Sequence, residues 1–171
     1  SGQKNTDTRL ETLKWINRAV EYDPDSVEAL VSRARFYRIA PELPNMTKEQ
    51  TQAAALAELE KADKLGTDNP QLRLALSKEW QQRGELEKAL AEIEAADKLG
   101  EEVLAEHFFD ISQWKVARFI QLADLYLKTG KIEQGVTLAD DTLAKLTEDR
   151  FRVRVLPLAI QTYATARNAE K

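Results

Sequence analysis

Apolar residues along this chain return every three or four positions. Leu86, Leu90, Ile93 and Ala96 form one such stripe, the spacing of a single face of an α-helix. Between the stripes lie helix-end signals. Asp25 with Glu28 and Thr47 with Gln50 have capping-box spacing, in which a side chain at each end satisfies an orphan backbone N–H. Asn69 before Pro70 reads as an N-cap followed by proline at the first helical position. Asp23-Pro24 closes one helix, and Gly84 and Gly130 stand where a helix must stop and the chain turn. The fold class that follows is all-α.

A longer period lies over the helical one. The segment from Leu56 to Gly66 comes back 34 residues later as Leu90 to Gly100, with only Leu59/Ile93 and Lys61/Ala95 differing. The central unit carries Arg73, Leu76, Ser77 and Trp80 on its first helix and Ala89, Ile93 and Ala96 on its second. The preceding unit gives Leu30, Arg33, Ala34 and Tyr37, then Ala55, Leu59 and Ala62. The following one gives Phe119, Leu122, Ala123 and Tyr126, then Gly135, Ala139 and Thr142. Ala34, Ser77 and Ala123 are expected to be small because the facing helix crosses closely there, with Tyr37, Trp80 and Tyr126 filling the wedge beside the crossing.

This pattern resembles the tetratricopeptide (TPR) repeat family, whose 34-residue unit is a helix pair. The resemblance implies an α-α superhelix, a solenoid of about eight helices in antiparallel pairs, because a lone unit cannot cover its own apolar face. Three full units are expected, 25–67, 68–100 and 101–147, after an N-terminal half unit at 5–24. The half unit rests on Thr12, Ile16, Ala19 and Pro24, which match a second helix without its first. A helix at 150–168 begins like another first helix, but Pro157 falls where a small residue belongs and is expected to kink or shorten it. It is read as a cap or partial unit. Ser1-Gly2, with no Met before it, reads as a cloning remnant, so 1–4 are set apart as a tag and the chain is expected to be a piece of a longer array.

Two units depart from the family spacing. Tyr37 and Ala55 are 18 positions apart, where Trp80 and Ala89 are 9 apart. The first unit therefore holds an inserted loop at 38–50 around Pro41 and Pro44, whose Leu43 and Met46 suit either a second contact or a connector. The third unit gains residues 104–115, expected to lengthen its first helix or add a short helix before it.

Composition narrows the function classes. Charged residues make up 32% of the chain with a net charge of −4, which argues against nucleic acid as a partner because that needs a cationic footprint. There is no cysteine, hence no disulfide and no thiolate metal site. No run approaches the ~20 apolar residues of a membrane span, and no signal peptide opens the chain. Localisation is open, with the cytoplasm slightly favoured. His107 is the sole histidine, so no His-based metal site or imidazole pair exists. Glu58/Glu60, Glu92/Glu94 and Asp140/Asp141 are read as the solvated backs of second helices. Neither catalysis nor a cofactor is expected.

In the family, first helices line a concave groove. The register of Ala34, Ser77 and Ala123 places Glu28, Val31, Ser32, Arg35 and Arg38 there in the first unit, then Gln71, Leu74, Ala75, Lys78, Gln81 and Gln82. The third unit adds Ala117, Ile120, Gln121, Asp124, Leu127 and Lys128. Apolar residues with cations in the first half suit a protein or peptide with apolar anchors and an acidic flank. Chaperone-binding members resemble one another in a Lys/Asn/Arg carboxylate clamp. The matching places here hold Val31, Arg35, Ala75, Ala117 and Gln121, so that role is not implied. In the second insertion, Leu104, Phe108 and Ile111 form a stripe expected to pack, leaving Phe109 and Trp114 as a second contact. The leading expectation is a protein-interaction scaffold; the alternative is a spacer or self-associating element of a multidomain protein.

Overall fold

The computed structural model describes residues 2–40, 43–108 and 110–169. They form nine α-helices, in two compact units, Ser1–Thr67 and Asp68–Lys171. The only β feature among the described residues is an isolated bridge between Leu43 and Met46.

The first unit contains α1 (Gly2–Tyr22), α2 (Val27–Ile39) and α3 (Lys48–Leu65). Helix α1 begins within the stretch set apart above as a tag. It ends before Asp23-Pro24, as the sequence predicts. The cap of α2 is one residue later than expected. Ser26 accepts from the Ala29 N–H at 3.3 Å, while the Asp25 N–H donates to Asp23 Oδ1 at 3.2 Å. The Thr47–Gln50 capping box forms in both directions, with bonds of 3.2 and 2.8 Å. Helix α2 packs against both α1 and α3. Phe36, Tyr37, Ala40, Leu43 and Ala55 form a core joined by Leu13, Ile16, Met46 and Ala54. The inserted loop thus folds Leu43 and Met46 back onto the helices as a packed connector. Its residues 41 and 42 lie outside the described residues.

The second unit contains α4 (Pro70–Gln82), α5 (Leu86–Asp97), α6 (Glu101–His107), α7 (Ile111–Thr129), α8 (Ile132–Lys145) and α9 (Asp149–Ala169). Helix α4 pairs with α5, α5 meets α7, and α7, α8 and α9 pack together. Asn69 caps α4 by accepting from the N–H groups of Gln71 and Leu72. Gly84 and Gly130 take φ of 80° and 73°, the left-handed conformation that a side chain disfavours. Ser77 and Ala123 are fully buried, and the Ser77 hydroxyl donates to the Ala89 carbonyl at 2.7 Å, so α4 and α5 do approach closely. Gly135 is small for a similar reason. A Cβ there would lie 3.0 Å from Thr162 Cγ2 of α9.

The insertion at 104–115 becomes the short α6, a break, and the start of a longer α7. Asp110 caps α7 by accepting from the Ser112 N–H at 2.8 Å. Helix α9 runs through Pro157 without ending, its inner side carrying Phe151, Val155, Ala159 and Thr162.

Candidate functional site

In the second unit, five side chains join α4 to α7 in a continuous polar chain. Gln121 is buried, and its amide donates to Ser77 Oγ and Gln81 Oε1, each at 3.0 Å. Gln81 in turn donates to Asp124, which also accepts from Lys128 Nζ at 2.6 Å. A buried amide without such partners would be costly, so the network holds the two helices in a definite register. Beside it lie Leu74, partly exposed, and Ile120, 40% exposed, with Lys78, Gln82 and Lys128 in solvent. Gln71 reaches sideways to the His107 carbonyl at 2.9 Å. Of the sequence-predicted site residues, Gln81, Asp124 and Lys128 are therefore brought together directly, and Gln121 is the buried link from Gln81 to Ser77.

In the first unit, Glu28, Ser32, Arg35 and Ile39 share an exposed line along α2, and Arg38 is partly exposed. Trp15, Ile16 and Ala19 of α1 border an open hollow with Ser26, Glu28, Ala29 and Ser32. Val31 does not belong to this surface. It is only 4% exposed, because α2 has neighbours on two sides and buries more than one stripe.

Trp114 is likewise not available as a contact residue. It is 2% exposed and packs on Phe108, with ring centroids 5.6 Å apart. The break between α6 and α7 resets the helical register, so the stripe drawn from Leu104 through Ile111 does not continue and Trp114 turns inward. Phe108 and Ile111 are only partly buried. Phe109 lies outside the described residues.

The acidic pairs also differ from expectation. Glu92 is buried and pairs with Arg73 at 3.1 Å. Glu58 pairs with Arg33 at 2.5 Å, and Arg33 also contacts Asn17, tying α1, α2 and α3 together. These carboxylates face inward because each second helix lays them over an arginine of its first helix. Glu94 accepts from the Tyr126 hydroxyl at 3.4 Å, and Asp140 from the Tyr163 hydroxyl at 2.6 Å. Burial, then Glu94, raises the Tyr126 pKa. The hydrogen bond to Asp140 lifts that of Tyr163 to about 12, with burial adding to it. Asp141 and Glu60 remain in solvent.

Among the described residues, no group of three or more His, Cys, Asp or Glu side chains has the geometry to hold a metal ion. His107 Nδ1 lies 3.0 Å from the Val103 carbonyl of its own helix. No described helix is long and apolar enough to cross a membrane. No protein-family model, curated protein or solved structure matches this chain.

Proposed function

We propose that the chain is a protein-interaction scaffold made of TPR-like helical hairpins, with the α4–α7 face of the second unit as its recognition surface. The observation that carries this reading is the combination there of apolar groups and an exposed lysine on a fixed frame. Leu74 and Ile120 offer apolar contact, Lys78 offers positive charge, and the Ser77–Gln121–Gln81–Asp124–Lys128 network holds the helices that present them. A preorganised face loses little side-chain and backbone freedom on binding, which favours affinity. The occupant it suits is a peptide or helix with apolar anchors and an acidic flank. The repeat register, with small residues at the helix crossings and 34-residue self-similarity, supports the superhelical family reading that makes such faces recur.

Selection from a displayed random-peptide library, followed by calorimetric titration of the selected sequences, tests this. The expected ligands carry two or more apolar residues beside Asp or Glu. Leu74→Asp and Lys78→Glu should each weaken them about tenfold, the scale of a single interface anchor. Selection of no peptide, or of peptides indifferent to both substitutions, would leave the spacer reading in its place.

A further inference from the structure

Helix α9 is apolar on two opposite faces. Phe151, Val155, Ala159 and Thr162 are buried in the second unit. On the other side Val153, Leu156 and Ile160 recur at helical spacing and are 59%, 38% and 63% exposed. An apolar stripe along a helix is ordinarily covered by a neighbour, yet this one has no cover within the unit.

Charge says what would cover it. At about 100° per residue, Arg152 flanks one edge of the stripe, and Arg150 and Arg154 the other. Arg150 is engaged with Glu148 and Asp110 and lies over the Phe151 ring. Arg152 and Arg154 are exposed and have no ion-pair partner among the described residues. Pro157 sits on the same outer face. Having no N–H, it leaves the Val153 carbonyl without its usual i+4 donor.

We infer that the outer face of α9 docks an acidic amphipathic helix of a partner protein. Its apolar side chains lie on Val153, Leu156 and Ile160, and its carboxylates meet Arg152 and Arg154. Apolar contact supplies affinity, and the rim charges supply orientation and choice of partner. A second copy of α9 suits the face less well. Parallel pairing opposes arginine rims, and antiparallel pairing sets them against 156–169, a stretch without Asp or Glu. This surface is independent of the α4–α7 face, so Lys78→Glu should not affect it.

The test uses a fluorescent designed helical peptide with leucine at i, i+3, i+4 and i+7 and glutamate on both flanks, and a twin with lysine flanks. Anisotropy titrations should show the glutamate peptide binding about tenfold tighter or better, with added salt narrowing the gap. Ile160→Glu should weaken it about tenfold while leaving the circular dichroism spectrum unchanged, since this side chain is already in solvent. Arg152→Glu with Arg154→Glu should reverse the preference toward the lysine peptide. Equal binding of the two peptides, or indifference to Ile160→Glu, overturns the inference. So does self-association abolished by Ile160→Glu, which would assign the face to a second copy. Sedimentation with phosphatidylserine vesicles, lost in Ile160→Glu, would assign it to a membrane instead.

Discussion

In the α4–α5 hairpin, one slot between the helices holds Arg73 and Glu92, 3.1 Å apart. In the α7–α8 hairpin, the positions that correspond in repeat register hold Phe119 and Leu138, both buried. In the α2–α3 hairpin the slot is mixed. Leu30 is buried where Arg73 would be, and Glu58 is met instead by Arg33, one helical turn along. Positions that correspond in the sequence register are thus filled by different chemistry in different hairpins. An ion pair and an apolar pair are alternative solutions when each is complete, and a half-made ion pair is the poor one.

The two hairpins differ most at Trp80 and Tyr126. Trp80 is fully buried, whereas its register partner Tyr126 is partly exposed and turns its hydroxyl to Glu94. Trp80→Ala should cost about 3–5 kcal/mol, the range for deleting a large aromatic from a core that cannot collapse around the void. Tyr126→Phe, which removes one hydroxyl, should cost about 1 kcal/mol or less. Urea unfolding of both variants, followed by far-UV circular dichroism, gives the two values. Equal losses would mean that the Trp80 ring holds its hairpin no more firmly than the Tyr126 hydroxyl holds the other.

The ion-pair slot comes next in size. Glu92→Leu leaves the Arg73 guanidinium largely buried with its carboxylate gone, and should destabilise by about 3 kcal/mol. Adding Arg73→Phe transplants the α7–α8 solution and should bring stability back to within about 1 kcal/mol of the original. The same unfolding measurement decides. A double variant no better than the single would show that the slot depends on its charges, against the equivalence drawn from α7–α8.

These slots also mark where the sequence could and could not be read. Features set by neighbours along the chain were legible. Asn69-Pro70, the Thr47–Gln50 box and the positive-φ glycines at 84 and 130 each follow from a few adjacent residues. Ser77 at the α4–α5 approach was legible too, because self-similarity exposed its register. Glu58 and Glu92 were misread as solvated because what turns them inward lies on another helix, 25 and 19 positions away. Trp114 was misplaced because the break before Ile111 interrupts the periodicity on which its direction was argued. At the candidate site, helical register was enough to put Gln81, Asp124 and Lys128 on one face. That Gln121 is the buried link depends on bonds to residues 40 and 44 positions back, and no local pattern announces those.

The smallest expected effect lies where α9 meets α8, and its pH dependence sharpens the contrast between the two tyrosines. Tyr163 is raised chiefly by its hydrogen bond to Asp140, Tyr126 chiefly by burial. Tyr163 goes from an ordinary value of 10.0 to about 12 in the folded chain. A raised value means that the unfolded chain releases the proton first as pH climbs. The stabilisation from this bond is therefore whole below pH ~10 and erodes between ~10 and ~12. Near neutrality Tyr163→Phe should cost about 0.5–1 kcal/mol, held low by the solvent around the pair. At pH ~11 the cost should shrink, because the wild type has lost part of the advantage that phenylalanine never had. Lysines titrate in the same range, so the quantity to follow is the difference between the two proteins, measured by urea unfolding at each pH, not either stability alone. A difference that stays constant from pH ~8 to ~11 would show that the Asp140 contact is not what holds the Tyr163 proton.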